Sequence, residues 1–496
     1  MVAPGAPRVP ASQGAIRPGY TFARAGPAAC AAIGVFGVAG LAWPYTVDDA
    51  FIVARYAANL VAGHGYAFNA GGRASDGVTG PLWLAPFLIA SLANVDAIAI
   101  AKLVGTACMA AAASLFVATL ARRAGGRVAA WSAAVVVAVS PSLGTWGAAG
   151  LETGAAALAF ALAAWGALRR PAPHAVVAGL AVGALAWLRP EMAFAGGVLL
   201  ACVALRASRA GRVAFALAAG AACGVIAFRL GMFGATLPLS FEAKPGPLAH
   251  GVRYALLGVL LATSGVGVAL CVVAARGGRT DDRALAAALV AHALAIVLAG
   301  GDWMPGMRLW VPVLPAYAAL AGVGVARLLR TRRRRLRALA PLALVAACVV
   351  PVADLAVRVP DLRDAGRARG MAGAEVARWL RAHARRVALV DVGYLAYASG
   401  VEVVDLGGLT DARIARLPGG HLAKRITQAD LRARDPDVLV LHSSVAPRVS
   451  ADGRLLVLAG FPVEQRVASM PWVRDEFRVA HTVAYAPGYQ YVILRR

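Results

Sequence analysis

The sequence predicts a polytopic α-helical membrane protein of about eleven transmembrane helices, with interfacial and re-entrant helices, and a small soluble α/β domain at its C-terminal end. Three observations predict it. Of 496 residues, 60% are hydrophobic and 15% charged, at a mean hydropathy of +0.67, whereas a soluble globular chain is about a quarter charged. The apolar residues are gathered into runs long enough to cross a hydrocarbon layer. From about residue 358 those runs stop, and short β-branched stretches separated by turns replace them.

The net charge of +25 would suit a nucleic-acid partner if the basic residues covered a soluble surface. Many instead form short clusters between apolar runs, the arrangement that orients a membrane chain, so no nucleic acid is expected. The six cysteines (30, 108, 202, 223, 271 and 348) all lie within apolar runs without a CxxC pair, which indicates neither a disulfide framework nor a zinc site.

In chain order, a basic cytoplasmic tail (1–26) leads into spans near 27–43, 98–121, 128–143, 153–168, 173–188, 192–206, 211–230, 253–275, 284–299, 309–327 and 338–357. The first is kept as a span, not a cleaved signal, because many further spans follow it. The transmembrane domain is thus 27–357, with a first outer loop over 44–97. In that loop "YTVDDAFIVARYAANLVAGHG" predicts an interfacial helix, with Thr46 as its N-cap and Gly63 as its stop. "PLWLAPFLIASLA" (81–93) has only thirteen residues and two prolines, which fits an interfacial or re-entrant segment. Parity supports this. With 81–93 on the outer surface, Arg122/Arg123/Arg127, Arg169/Arg170, Arg206/Arg209/Arg212, Arg276/Arg279/Arg283 and "RLLRTRRRRLR" (327–337) all share the side of the basic tail. An odd number of spans then puts the 358–496 domain outside the cytoplasm. That domain is read as the amphipathic helix "EVARWLRAHARR" followed by the strands "VALVDV", "VEVVDL", "DVLVLH" and "YQYVILRR".

The opposite side collects "YTVDDAF", "SDGVTGPLW" (75–83), "GLET" (150–153), "WLRPEM" (187–192), "LPLSFEAKPG" (237–246) and "GGDWMPGMR" (300–308), and with them the acidic residues of the membrane part. Acids contribute little to orientation, so this segregation calls for another cause. Asp48 and Asp49 begin the outer helix, with Arg55 further along one face. One acid would complement the helix dipole; two adjacent ones point to a general base or a metal ligand. Glu152 stands at the mouth of a span, Glu191 is either a site residue or the ion-pair partner of Arg189, and Asp302 shares a rigid turn with Arg308. Lys244 reads as a phosphate-holding point charge or a solvated loop lysine. Carboxylates and cations at one membrane surface suit transfer from a lipid-phosphate sugar, with the phosphate neutralised and an acceptor hydroxyl deprotonated. Asp and Glu oxygens there suit Mg²⁺ or Mn²⁺, and no organic cofactor is indicated.

Taken together and in order, "DDAFIVARYAANLVAGHGYAFNAGGRASDGVTGPLW", "GLETGA", "LRPEM", "LPLSFEAKPG", "GGDWMPGMRLWVPVLP" and "DVGYLAYASGVEVVDLGGLTD" resemble the GT-C superfamily of integral membrane glycosyltransferases, most closely the group containing the mycobacterial-type terminal arabinofuranosyltransferases. The resemblance implies a GT-C-like helical domain and transfer of a sugar, arabinofuranose in that group, from a polyprenyl-phosphate donor to a cell-envelope glycan or glycoconjugate on the outer face of the bacterial inner membrane. It implies Asp48 and Asp49 as catalytic acids, Asp49 and Glu152 as metal ligands, Arg55, Lys244, Asp302, Arg308 and Glu191 on the donor, and Asp76, Thr79 and Trp83 on the acceptor side. Where relatives commonly read "EGYTN" this chain has "SDGVTG", and "PLSFEAK" stands in place of "PNTFYAK", so sugar and acceptor are less determined than reaction class. It also implies a C-terminal domain over the active site, with Asp391, Tyr394, Asp405 and Asp411 as acceptor-binding or lid residues, against the plainer reading of strand ends and turns. "VALVDVGYLAYASG" lacks the GxGxxG of a nucleotide site. Two rivals share these features: a GT-C enzyme moving another sugar, mannosyl or aminoarabinosyl, to protein or lipid A, and a transporter or flippase of lipid-linked sugars. A transporter would place charges at mid-bilayer depth and show repeat symmetry.

Overall fold

The structure, a computed structural model, describes residues 18–123, 125–169, 173–205, 208–244, 246–277 and 279–496. Residues 1–17 of the expected basic tail, and Arg170 and Arg206 of the basic clusters, lie outside the described residues.

Helix α1 (Pro18–Leu41) precedes the outer helices α2 (Asp48–Val61) and α3 (Leu84–Leu92). The chain then runs through α4 (Ala97–Ala121), α5 (Arg127–Ala138), α6 (Pro141–Gly147), α7 (Thr153–Leu168), α8 (Pro173–Leu188), α9 (Ala193–Ala204) and α10 (Arg209–Phe233). After the short α11 (Leu239–Ala243) come α12 (Leu248–Thr263), α13 (Val266–Arg276), α14 (Thr280–Leu298), α15 (Leu314–Arg330) and α16 (Arg334–His383). Each of the eleven expected spans coincides with a helix or a helix pair. Among the described residues, by length and composition alone, four helices can cross a bilayer, or up to six if each bent pair counts as one span. Of the others, α7 has 16 residues, a rise of about 24 Å, and α14 opens on Asp281 and Asp282.

Two expectations need correction. The span expected over 253–275 is two helices bent by 87°, because Ser264 and Gly265 adopt positive φ of 56° and 64° and turn the chain. The domain boundary at 358 falls inside α16, a continuous helix of 50 residues containing Pro341, Pro351 and Pro360. The last span and the amphipathic helix of the soluble domain form one rod of about 75 Å, with no linker between them.

The two ends of the bundle differ. At one end Asp282 is buried and binds Arg123 at 2.6 Å and Arg327 at 2.9 Å, so the basic loops after α4, α13 and α15 meet. The other end carries the acidic loops and the C-terminal domain. That domain holds a five-stranded sheet of order β2-β1-β3-β7-β6. Its strands are β1 (Arg386–Leu389), β2 (Glu402–Asp405), β3 (Val438–Ser443), β6 (Arg478–Ala486) and β7 (Tyr489–Arg495), beside a separate ribbon of β4 (Arg448–Val449) and β5 (Leu455–Val457). The first three are parallel, and β7 and β6 run antiparallel. The four strands read from sequence are present; β6 and the ribbon were not anticipated.

Alternation along the strands decides where the domain sits. Val387, Leu389, Val438, Val440 and Ile493 belong to the same apolar core as the transmembrane helices. Their neighbours Ala388, Leu439, Leu441, Val492 and Leu494 point the other way, into a core of the domain's own. One sheet face is therefore continuous with the bundle, which fixes the domain over the acidic end.

Candidate active site

The first turn of α2 sets the site. Lys102 of α4 is 3% exposed and donates to the carbonyls of Trp43 and Tyr45 and to Thr46 Oγ1. It pins the chain just before the helix. Thr46 therefore accepts from Lys102 and does not cap α2, whose N-cap is Val47; Gly63, at φ +80°, ends the helix as expected.

Adjacent residues on a helix point about 100° apart, and Asp48 and Asp49 go separate ways. Asp48 faces the C-terminal domain and accepts from the backbone N–H groups of Gly393 at 2.7 Å and Tyr394 at 2.8 Å. Burial first, and then the Asp391 charge, push its carboxyl up to about 7 against the pull of those donors. Asp49 opens into a cavity of about 320 Å³, with its carboxylate 3.7 Å from Lys244. Burial would raise the Asp49 pKa, but Lys244, Arg308 and His421 outweigh it and hold the group below the usual carboxylate range.

Glu152, Glu191 and Asp302 line the same cavity, with Arg189 and Arg308. Arg189 reaches Glu152 and Glu191 at 2.9 Å each, so the GLET and WLRPEM motifs share one guanidinium. Arg308 stands 2.7 Å from Asp302, off the N–H line, as an ion contact. The Glu152 turn is placed by Gly150, whose φ of +89° suits glycine, and by the Trp83 indole, which donates to the Gly150 carbonyl at 3.0 Å. Trp146 holds the Asp302 loop by donating to the Pro305 carbonyl at 3.1 Å. Thr79 lines the cavity and exchanges a hydrogen bond with Ser240 at 2.9 Å.

The cavity thus gathers Asp49, Glu152, Glu191, Asp302, Lys244, Arg308 and Thr79 from the expected set. Four expected members stand elsewhere: Asp48, turned to the C-terminal domain, and three others. Arg55 does not line the cavity: its guanidinium donates to the carbonyls of Phe68 (2.7 Å), Ala396 and Val401 (2.8 Å) and to Asn69 Oδ1 (3.2 Å), stitching the first outer loop to the C-terminal domain. Asp76 is buried against Arg229 of α10 at 2.8 Å, since a lone buried carboxylate would be too costly. Trp83, 2% exposed, supports Glu152 from behind and meets no acceptor space.

Among the described residues no three His, Cys, Asp or Glu side chains come together as metal ligands. Asp49 and Glu152 instead face Lys244 and Arg189, and this donor set does not fit a divalent cation.

In the C-terminal domain, Asp405 accepts from the N–H groups of Gly407, Gly408 and Thr410 and so builds a turn. Asp411 caps the following helical turn and pairs with Arg434. Asp391 pairs with buried His442 at 3.0 Å, whose other nitrogen meets Glu464 at 2.8 Å. Tyr394 packs edge-on against Phe51 of α2. Asp405 and Asp411 thus take the turn and cap roles of the plainer reading. What the domain offers to the cavity wall is Leu409; His421, whose charge acts on Asp49, hydrogen-bonds the Gly407 carbonyl at 3.1 Å. Burial first, then Lys244, push the imidazole down to about 4 despite the Asp49 charge. His421 carried no sequence motif, and Arg189 showed in sequence only its neighbour Glu191.

Helical bundle, outer-loop helices and capping domain together define the GT-C fold. Two crystal structures of ArnT from Cupriavidus metallidurans share it, each over 96% of this chain and 98% of its own: the form bound to undecaprenyl phosphate (TM-score 0.58, 12% identity) and the apo form (TM-score 0.56, 11% identity). A family described as a domain of unknown function (DUF8728) matches residues 361–493. No curated protein matches the sequence.

Proposed function

We propose that this protein is an integral membrane glycosyltransferase that moves a sugar, arabinofuranose, from a polyprenyl-phosphate donor to a glycan or glycoconjugate acceptor of the cell envelope, on the outer face of the inner membrane. The observation that carries this reading is Asp49, kept ionised beside Lys244 in a cavity ringed by charged groups where the apolar bundle meets its capping domain. The fold is shared with a structure bound to undecaprenyl phosphate, which supports a lipid-linked donor. Arabinofuranose rests on the order and wording of the outer-loop motifs.

In this reading the acceptor hydroxyl gives its proton to Asp49 as its oxygen bonds to the anomeric carbon. The bond from that carbon to the phosphate oxygen breaks, and its electron pair leaves with the polyprenyl phosphate, which Lys244 and Arg308 neutralise. Glu152 and Glu191, aligned by Arg189, are placed to accept hydrogen bonds from sugar hydroxyls. No step is routed through a metal. The transporter reading is disfavoured because the acids gather at one end of the bundle.

The test is release of polyprenyl phosphate from synthetic polyprenyl-phosphoryl-arabinofuranose by purified protein supplied with glycan acceptors. Asp49→Asn is expected to lower release about 10² to 10⁴-fold, the range for a general base. Full activity in that variant sinks the assignment of Asp49. Release from another lipid-linked sugar alone keeps the class and discards arabinofuranose.

A further inference from the structure

A second cavity of about 410 Å³ lies between α4, α7, α14 and α15. It sits at the far ends of α7, α14 and α15 from the candidate active site: that site touches Glu152, Ala299 and Arg308, and this one touches Trp165, Asp281 and Leu320. It therefore opens at the basic end of the bundle, which the positive-inside rule assigns to the cytoplasm.

Its lining has two parts. Arg122, Arg123, Arg169 and Arg279 stand against Asp281 and Asp282, four positive groups to two negative. Deeper walls are apolar, with Leu115, Phe116, Leu285, Leu320 and Val323. Arginines scattered over loops would satisfy orientation without any cavity, but these are arranged. Asp282, 2% exposed, holds Arg123 at 2.6 Å and ties Arg327 in at 2.9 Å, while the Arg169 guanidinium lies 5.3 Å over the Trp165 ring. Arg122 and Arg279 are exposed and, among the described residues, meet no carboxylate within ion-pair distance. A small free anion would engage the arginines and leave the apolar walls unused; a neutral lipid would leave the arginines unused.

We infer that this cavity binds an anionic phospholipid, with its phosphate among Arg122, Arg123 and Arg279 and the upper part of its chain along the Phe116 and Leu320 wall. The site is separate from the proposed transfer chemistry.

The test is lipid retention by the full-length, detergent-purified protein in native mass spectrometry, with dioleoylphosphatidylglycerol, dioleoylphosphatidylcholine and soluble glycerol 3-phosphate as probes. Phosphatidylglycerol is expected to be retained in preference to phosphatidylcholine and to resist displacement by glycerol 3-phosphate. Arg122→Gln/Arg279→Gln is expected to weaken retention roughly tenfold or more, the scale for two interfacial arginines. Arg334→Gln/Arg335→Gln removes the same charge at the same end, outside the cavity, and is expected to leave retention unchanged. The proposal is overturned by equal retention of the two lipids, by displacement with glycerol 3-phosphate, or by equal effects of the two double variants, including no effect from either. The Arg122 and Arg279 side chains are exposed, and an unfolding midpoint equal to wild type in phosphatidylcholine confirms that loss of retention is not loss of fold.

Discussion

Replacing Arg55 by methionine separates two roles that sequence left together, phosphate binding and domain attachment. The guanidinium satisfies three carbonyls and one amide oxygen in the structure. Methionine fills part of the same space and donates nothing. Phe68 O keeps a second donor, Asn59 Nδ2 at 2.9 Å, and Asn69 Oδ1 keeps the Val403 N–H at 3.0 Å. Ala396 O keeps the Gly400 N–H at 3.0 Å, and Val401 O is left without its arginine donor. At about 1 to 3 kcal/mol for an unsatisfied buried acceptor, the contact between outer loop and C-terminal domain weakens by about 2 kcal/mol. That is roughly a thirtyfold rise in the opening equilibrium, read as faster hydrogen exchange across 393–405, with helices remote from the contact unchanged. Unchanged exchange there, together with a raised KM for donor, would refute the reasoning and return Arg55 to the phosphate.

The remaining expectations concern charge. Arg189→Met strands Glu152 and Glu191 beside one another; a loss of about 3 to 5 kcal/mol is expected as a lower unfolding midpoint, partly restored by adding Glu152→Gln/Glu191→Gln, and no change in midpoint counts against the shared pair. Asp48 has its carboxyl raised from an ordinary 3.8 to about 7, so its ionisation opposes the docked state. Docking is firmest at low pH and loosens as pH rises through about 7. Intrinsic-rate-corrected exchange of the Gly393 and Tyr394 amides should increase between pH 5.5 and 8.5, and Asp48→Asn should flatten the profile; a flat wild-type profile would contradict the shift. His442 is held up to about 10, burial alone working downward but Asp391 and Glu464 prevailing. His442→Leu leaves those two acids facing each other and is expected to destabilise the C-terminal domain by about 3 to 5 kcal/mol, measured by chemical denaturation and absent if the triad is dispensable.

Much of the fold was legible because a bilayer makes strong local demands. A run that leaves water must satisfy its own backbone as a helix, so apolar length alone located the segments that became α1, α4 and α10. The turn at Ser264 and Gly265 was not visible, since it depends on packing against neighbours. The site was legible in part for a related reason: in an apolar chain, Asp49, Glu152, Glu191, Lys244 and Asp302 stand out at segment ends, and these are the residues the cavity collects. Arg55, Asp76 and Trp83 stand out equally and went elsewhere.

By itself, then, the sequence determined the helical membrane class, the segregation of acidic from basic loops, four strands of the C-terminal domain and the short list of polar residues from which a site is drawn. Each follows from local composition and period. Only the tertiary structure decided which of two adjacent aspartates faces the cavity, that Arg189 joins Glu152 to Glu191, that Arg55 clamps a domain 341 residues further on, and that His421 comes to the Asp49 end. A charged side chain removed from water takes whatever partner the folded chain brings within about 3 Å, and that partner is set by three-dimensional packing, to which sequence spacing carries no local signal.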